Sequence, residues 1–401
     1  MNDLGEKWLR AGQYASIEGM KLRPKESQRL VGSPIVISRG QADAYFLTDN
    51  KNQQWILKKF LPGRNPDAGY IKALQALIPQ APGFESGYKR RVLHRGSLSN
   101  SDYYSSEFLD WIEHTVLMPK IPGWDWAYLA DQIRDGVVDL TREQRLLICK
   151  NLSEKVALLE SNKIAHRDLS ASNVFIETKT WEVHLIDWDS IYHPHLSMPP
   201  NTTYGTNGYI APFVRLNQVE DPKATWRPLS DRFSLAVMNA EFLLIDKDSP
   251  LTGDGGMFDQ QELYESDGPG IRSLLRKARE EFPDAARMLE RALRARSCEE
   301  CAGPSEWRVW NDISTGNRVP SLSEIYDPKE DFEEFLQKIR KPRPPAPQPP
   351  RLSELESVSL KSLPISTGTK PAHRAPRLSE VEDPTESLTR GAGQSPAKAP
   401  K

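Results

Sequence analysis

The sequence predicts an α+β fold of two lobes, on three observations. The first 120 or so residues carry short apolar runs of strand character. A long amphipathic stretch at 141–162 reads as a helix, and two β-rich runs after it read as a hairpin. Beyond the hairpin the pattern is helical. Sheet first and helices later places a small sheet lobe ahead of a larger helical one.

Each element has its own signal. Ile35–Ile37, Ala44–Leu47 and Trp55–Leu57 are strands, and Thr48–Asn52 between the last two has turn chemistry. Residues 67–77 (DAGYIKALQAL) form a short amphipathic helix that Pro79 ends. Arg90–His94 and Thr115–Met118 are further strands. Thr141 caps the 141–162 helix with Gln144 three residues on, as a capping box requires, and Ile148, Leu152, Val156 and Leu159 recur at helical spacing. Val174–Ile176 and Val183–Ile186, joined through Thr178-Lys179-Thr180, form the hairpin. Residues 231–245, 270–295 and 329–340 read as helices.

Composition narrows the function. The 401 residues hold 53 basic and 55 acidic side chains, and a net charge of −2 supplies no field for nucleic acid or an anionic membrane. No apolar run approaches the length needed to cross a bilayer. Three cysteines cannot staple a chain of this size, so a reduced, cytoplasmic setting is expected. Residues 341–401 carry 12 of the 32 prolines and no Phe, Trp or Tyr, the composition of a disordered tail. Three near-copies of P-x-L-S-E-aliphatic begin at Pro320, Pro350 and Pro376, readable as docking motifs or phosphosites or, equally, as low-complexity coincidence. The KPRPPAPQPP run at 341–350 is expected as a polyproline II spacer or groove ligand. Cys298 and Cys301 have zinc-type spacing but no second pair, so they are read as ordinary thiols.

The chemistry concentrates in Ile164-Ala165-His166-Arg167-Asp168-Leu169-Ser170-Ala171-Ser172-Asn173 and, after the hairpin, Ile186-Asp187-Trp188-Asp189. Asn173 precedes the first hairpin strand and Asp187 follows the second, so antiparallel pairing sets them side by side, with Asp168 one tight loop away. Three oxygen-bearing side chains at one sheet end suit Mg²⁺ with bound phosphate, and a free carboxylate among them can orient an attacking hydroxyl.

In this order the motifs of residues 30–310 resemble the protein kinase superfamily. HRDLSASN is similar to the catalytic loop, DWD to the metal-binding DFG segment, WILKKF to the strand of the nucleotide lysine, GTNGYIAP to the end of an activation segment, and SDRFSLAV to the helix whose Asp231 holds the catalytic loop. The resemblance implies a bilobal kinase-like fold that uses ATP and Mg²⁺ on protein substrates. It makes Asp168 the catalytic base, with Arg167 and Thr206 beside it, and Asn173 and Asp187 the metal ligands. Lys58 would contact the α/β-phosphates, with Lys59 taking over if the strand register slips by one; Gly40 and Met118 complete the nucleotide site. His166 would pack on Trp188 and Leu74. The implied division is 1–29 extension, 30–120 small lobe, 121–315 large lobe, 316–340 connecting helix and 341–401 tail.

Several positions depart from the family pattern. The loop Ser38–Tyr45 keeps one glycine of three, and Tyr70 occupies the place of the helix glutamate that pairs with the lysine. Asp67 and Glu85 are the possible substitutes. Asp189 replaces the DFG glycine, Ser170 replaces a lysine, and Phe213 replaces the APE glutamate, whose usual arginine partner is also missing near Cys301–Pro304. Such departures are most similar to divergent bacterial kinases of the eukaryotic-like type. They leave two other readings open: a nucleotide-binding pseudokinase scaffold, and a small-molecule kinase of the aminoglycoside or choline type, against which Arg167 and GTNGYIAP argue. Phosphorylation near Thr202–Thr203 could pair with Arg167, the alternative being a loop that stays unmodified.

Overall fold

The computed structural model describes residues 14–27, 33–39, 41–63, 68–99, 104–199, 204–216, 226–250, 256–265 and 268–307. Gly40, Asp67, Thr202, Thr203, the helix expected at 329–340, the proline-rich tail and the three P-x-L-S-E segments lie outside them.

The N-terminal part is an antiparallel sheet of seven strands: β1 (Ala15–Ile17), β2 (Met20–Pro24), β3 (Val36–Arg39), β4 (Ala42–Asp49), β5 (Gln54–Phe60), β6 (Arg91–Val92) and β7 (Val116–Pro119). They lie in the order β1-β2-β4-β5-β7-β6, and β3 pairs with the other half of β4. The β4–β5 turn forms because Asp49 Oδ1 accepts the amides of Lys51 and Gln53, each at 2.8 Å. Both faces of the sheet are covered. Tyr45, Leu47, Trp55 and Leu57 pack on Phe108 and Trp111 of the short helix Ser106–Ile112, whereas Phe46, Ile56, Phe60, Val116 and Met118 pack on Ile71. Lys58 shares the second face and Lys59 the first, because side chains alternate along a strand.

Two differences from the sequence reading arise here. Residues 15–24, expected within an extension, form a hairpin paired to β4 through Leu22↔Asp49 and Pro24↔Leu47. Burial of Ile17 and Leu22 against Leu98 holds it there. The helical run at 270–295 is two helices, Pro269–Glu281 and Pro283–Arg294. Pro283 lacks the amide that would continue the first and is instead suited to open the second.

The C-terminal part is helical. Helix α1 (Ala68–Leu77) sits between the two parts, its Ile71 in the sheet's apolar cluster and its Leu74 in that of the large lobe. The 20-residue helix Arg142–Ser161 begins with the expected capping box, Thr141 Oγ1 accepting from the Gln144 amide and Gln144 Oε1 from the Thr141 amide. It packs on Asp231–Leu244, a helix with 13 of its 14 residues buried. A smaller sheet, β8 (Trp124–Asp125), β9 (Val174–Glu177) and β10 (Glu182–Leu185), carries the expected hairpin. This is a bilobal kinase-type architecture. Among the described residues no helix is long and apolar enough to cross a membrane.

Candidate active site

The hairpin positions the polar residues. In the β9–β10 register Val174 faces Leu185, and the Ile186 amide donates to the Asn173 carbonyl at 3.0 Å, which brings Asn173 and Asp187 to the same sheet end. The loop before it is pinned from below. Asp231 Oδ2 and Oδ1 accept the amides of His166 and Arg167, each at 2.6 Å, and hold Arg167 at φ 69°, a left-handed conformation a non-glycine residue adopts at a cost. Asp187 shares that conformation at φ 64°. His166 is fully buried, its ring 4.9 Å from that of Trp188, and Nε2 donates to the Ile186 carbonyl at 2.9 Å. Burial holds its pKa below the ordinary value, so it is a neutral packing residue, as expected.

Asp168 is held at both oxygens. Thr206 Oγ1 donates to Oδ1 at 2.7 Å, and Asn173 Nδ2 donates to Oδ2 at 2.9 Å. Burial pushes its carboxyl up to about 6, an effect that those two bonds oppose and the neighbouring Asp187 charge reinforces. Asn173 Nδ2 also reaches the Asp168 carbonyl at 2.9 Å, so the amide end is committed inward and Oδ1 remains as its acceptor for a cation. Arg167 donates from Nη1 to the Ser190 carbonyl at 2.8 Å and lies over the Trp226 ring at 5.0 Å. Burial brings its pKa down to about 10, so it stays charged at neutral pH. Its guanidinium is thus engaged with the segment that follows Asp187.

Lys58 reaches the site and Lys59 does not. Lys58 Nζ donates to Asp187 Oδ1 at 2.7 Å and to Asp189 Oδ2 at 2.5 Å, whereas Lys59 Nζ reaches the Glu113 carbonyl at 3.3 Å on the other face. Burial would lower the Lys58 pKa, but the two carboxylates outweigh it and hold it above the ordinary value. Of the two possible substitutes for the helix glutamate, Glu85 is turned elsewhere, accepting from the Gly83 amide and facing His184, and Asp67 lies outside the described residues. Tyr70 Oη donates to the Ile191 carbonyl at 3.1 Å. Asp189 Oδ1 accepts from Arg90 Nη1 at 3.0 Å, a partner the sequence reading missed. The extra acid of DWD beside an acid-free α1 is a signal for the pairing with Lys58, although it does not point to Arg90. Met118 is buried among Ile56, Val116 and Phe60.

The segment after the site is anchored differently from the family pattern. Phe213 packs in the large core, as do Cys301 and Ala302, where the missing ion pair would lie. The tether instead is buried Glu241, which accepts from Tyr209 Oη at 2.9 Å, Trp126 Nε1 at 3.0 Å and the Met257 amide at 2.7 Å. A cavity beside Asp168 is lined by Gly205, Tyr209, Ile210, Phe213, Ser234 and Cys298.

A hydroxyl-bearing carboxylate network, an amide and a carboxylate at one sheet end, and a lysine from the opposite lobe define a phosphotransferase-type site. Comparison with protein families matches residues 116–342 to the protein kinase domain, more than half of the chain. The chain belongs to the protein kinase family. The match starts at β7 and so includes Asp168, Asn173 and Asp187 but not Lys58. Comparison with curated proteins finds no match.

Proposed function

We propose that the protein is an ATP- and Mg²⁺-dependent serine/threonine kinase acting on protein hydroxyls, with itself among its substrates. The observation that carries this reading is the Asp168 carboxylate, oriented at both oxygens by Thr206 and Asn173 and flanked by a cavity next to the GTNGYIAP segment. A carboxylate raised to about 6 is ionised at neutral pH yet basic enough to accept a hydroxyl proton.

The donor set fits the groups it would hold. Asn173 Oδ1 and the Asp187 carboxylate, 40% exposed, are hard oxygen ligands suited to Mg²⁺, and Lys58 offers an ammonium to phosphate oxygens. Bound magnesium would neutralise charge on the phosphates. The chain's own residues do the rest: Asp168 Oδ orients the acceptor hydroxyl and takes its proton, Thr206 fixes the carboxylate, and Arg167 holds the following segment in place. Gly40 and Met118 would contribute to the nucleotide site from the small lobe. In this reading the small lobe runs to residue 120 and the large lobe over 121–315, with 316–340 linking to a tail whose P-x-L-S-E segments serve docking or self-modification, in the cytoplasm.

Incubation of the full chain with Mg-ATP and labelled phosphate, followed by mass spectrometry, tests it. Asp168→Asn and Asp187→Asn should each lose transfer by at least about 100-fold. Equal labelling in all three chains would remove the reading.

A further inference from the structure

We infer that Asp189, anchored by the buried Arg90, is the carboxylate that positions Lys58, the task for which α1 carries no acidic residue. This rests on the reading of the chain as an ATP-using kinase.

The two acids facing Lys58 sit in different environments. Asp187 is 40% exposed and Asp189 10% exposed. The exposed one is placed for a ligand from solvent, and the enclosed one is fixed to the protein. Backbone geometry sorts them. Asp187 is left-handed and opens the 3₁₀ turn Trp188–Ser190, which sends Trp188 into the core against Phe84 while Asp187 and Asp189 both reach Lys58. Trp188 Nε1 donates to Ser86 Oγ at 2.9 Å, which fixes the residue between the two acids.

Arg90 explains why Asp189 stays in place. Its side chain is 1% exposed, and a guanidinium that deeply buried without a counter-charge is strongly destabilising. Among the described residues its Nε and Nη2 find no hydrogen-bond acceptor, so the Asp189 carboxylate is what balances it. Asp189 divides its oxygens, Oδ1 to Arg90 and Oδ2 to Lys58, so one carboxylate bridges the two cations. When Asp187 turns to a metal, Lys58 keeps a charged partner that cannot follow. Two cations and two carboxylates also leave the cluster neutral, which a glycine at 189 would not. Tyr70, at the helix position next to this cluster, is already tied to the Ile191 carbonyl.

The test uses the full chain and two readouts, one of them free of nucleotide. Trace acetylation of lysines against pH, read at Lys58 by mass spectrometry, reports its titration. Steady-state kinetics reports KM for ATP and kcat. Asp189→Asn should move the Lys58 profile down by about one pH unit or more and cut kcat/KM about 100-fold. Arg90→Met should move both in the same direction by a smaller factor. Because Asp189→Asn strands a buried cation, the Asp189→Asn/Arg90→Met double variant serves where the single one does not fold, with the same expected shift. Tyr70→Glu added to that double variant should recover about tenfold of the lost kcat/KM, which a purely structural role would not give. An unmoved Lys58 profile in the Asp189 variants overturns the inference, and unchanged kinetics in Arg90→Met overturns the anchoring part. A wild-type chain that transfers no phosphate but shows the Lys58 shift keeps the pairing and removes the kinase reading instead.

Discussion

Thr206 and Asp168 are 38 residues apart in the chain, and the threonine hydroxyl donates to the aspartate Oδ1 at 2.7 Å. The bond ties the GTNGYIAP segment to the carboxylate proposed as the base, so Asp168 is held at both oxygens only when that segment is in position.

This pairing sets an expected pH profile. Asp168 must be ionised to accept a proton, and burial raises its carboxyl to about 6 while Thr206 and Asn173 pull it down. kcat/KM, which reports the free enzyme, should rise with pH to a plateau above a midpoint near 6. Thr206→Val removes a donor to the charged form, so its midpoint should move to higher pH, with kcat lower by about tenfold. A profile flat down to pH 4 would count against Asp168 as the base.

Asp231 is a stability prediction. Its carboxylate accepts two buried amides at 2.6 Å, so Asp231→Ala leaves both unmet and should cost about 2–4 kcal/mol. Asp231→Asn, with one acceptor oxygen, should fall between, as urea unfolding would read.

Glu241 makes stability depend on pH. Burial pushes it up to about 7 against three donors that favour the charged form, from an ordinary value of 4.5. The folded state therefore binds a proton that the unfolded state has released between those values, and this contribution is greatest below 4.5 and lost as pH rises to about 7. Glu241→Gln should remove that slope, so its melting temperature relative to wild type should climb from pH 5 to pH 8, by the equivalent of up to about 3 kcal/mol. Parallel curves for the two proteins would show the group titrates normally.

Gly123 lies between β7 and β8 at φ 86°, where an added Cβ would stand 2.1 Å from the Ile176 carbonyl oxygen. Gly123→Ala should cost at least about 1–2 kcal/mol from the backbone conformation alone. The clash pushes β8 off β9, so thermal melting and phosphoryl transfer should both fall.

Local chemistry was legible in the sequence. The Thr141–Gln144 box, the Thr48–Asn52 turn and the phase of Lys58 depend on neighbours a few residues apart, and each stands where the pattern put it. Asp231 and Thr206 were legible only through motif order, since their partners lie 65 and 38 residues away. The Arg90–Asp189 pair spans 99 residues with no motif around Arg90, so nothing in either segment pointed to the other. Glu241 was missed for a related reason: one acid inside an apolar helix gives no hint that Tyr209, Trp126 and Met257 converge on it. The hairpin at 15–24 was missed because its strands are three and five residues long and are buried by residues distant in the chain, Leu98 among them.

The β9–β10 hairpin separates what must keep its length from what need not. Asn173 and Asp187 flank its open end, and every paired residue between Val174↔Leu185 and Glu177↔Glu182 keeps them in step. A residue added to one strand alone would throw the two out of alignment and reverse the face of every side chain beyond it. The tip is another matter: Lys179 and Thr180 are exposed, and the chain there only turns. A peptide tag or a fluorescent reporter inserted between them would leave the paired ends where they are, making this tip a natural handle for attaching probes to the working protein.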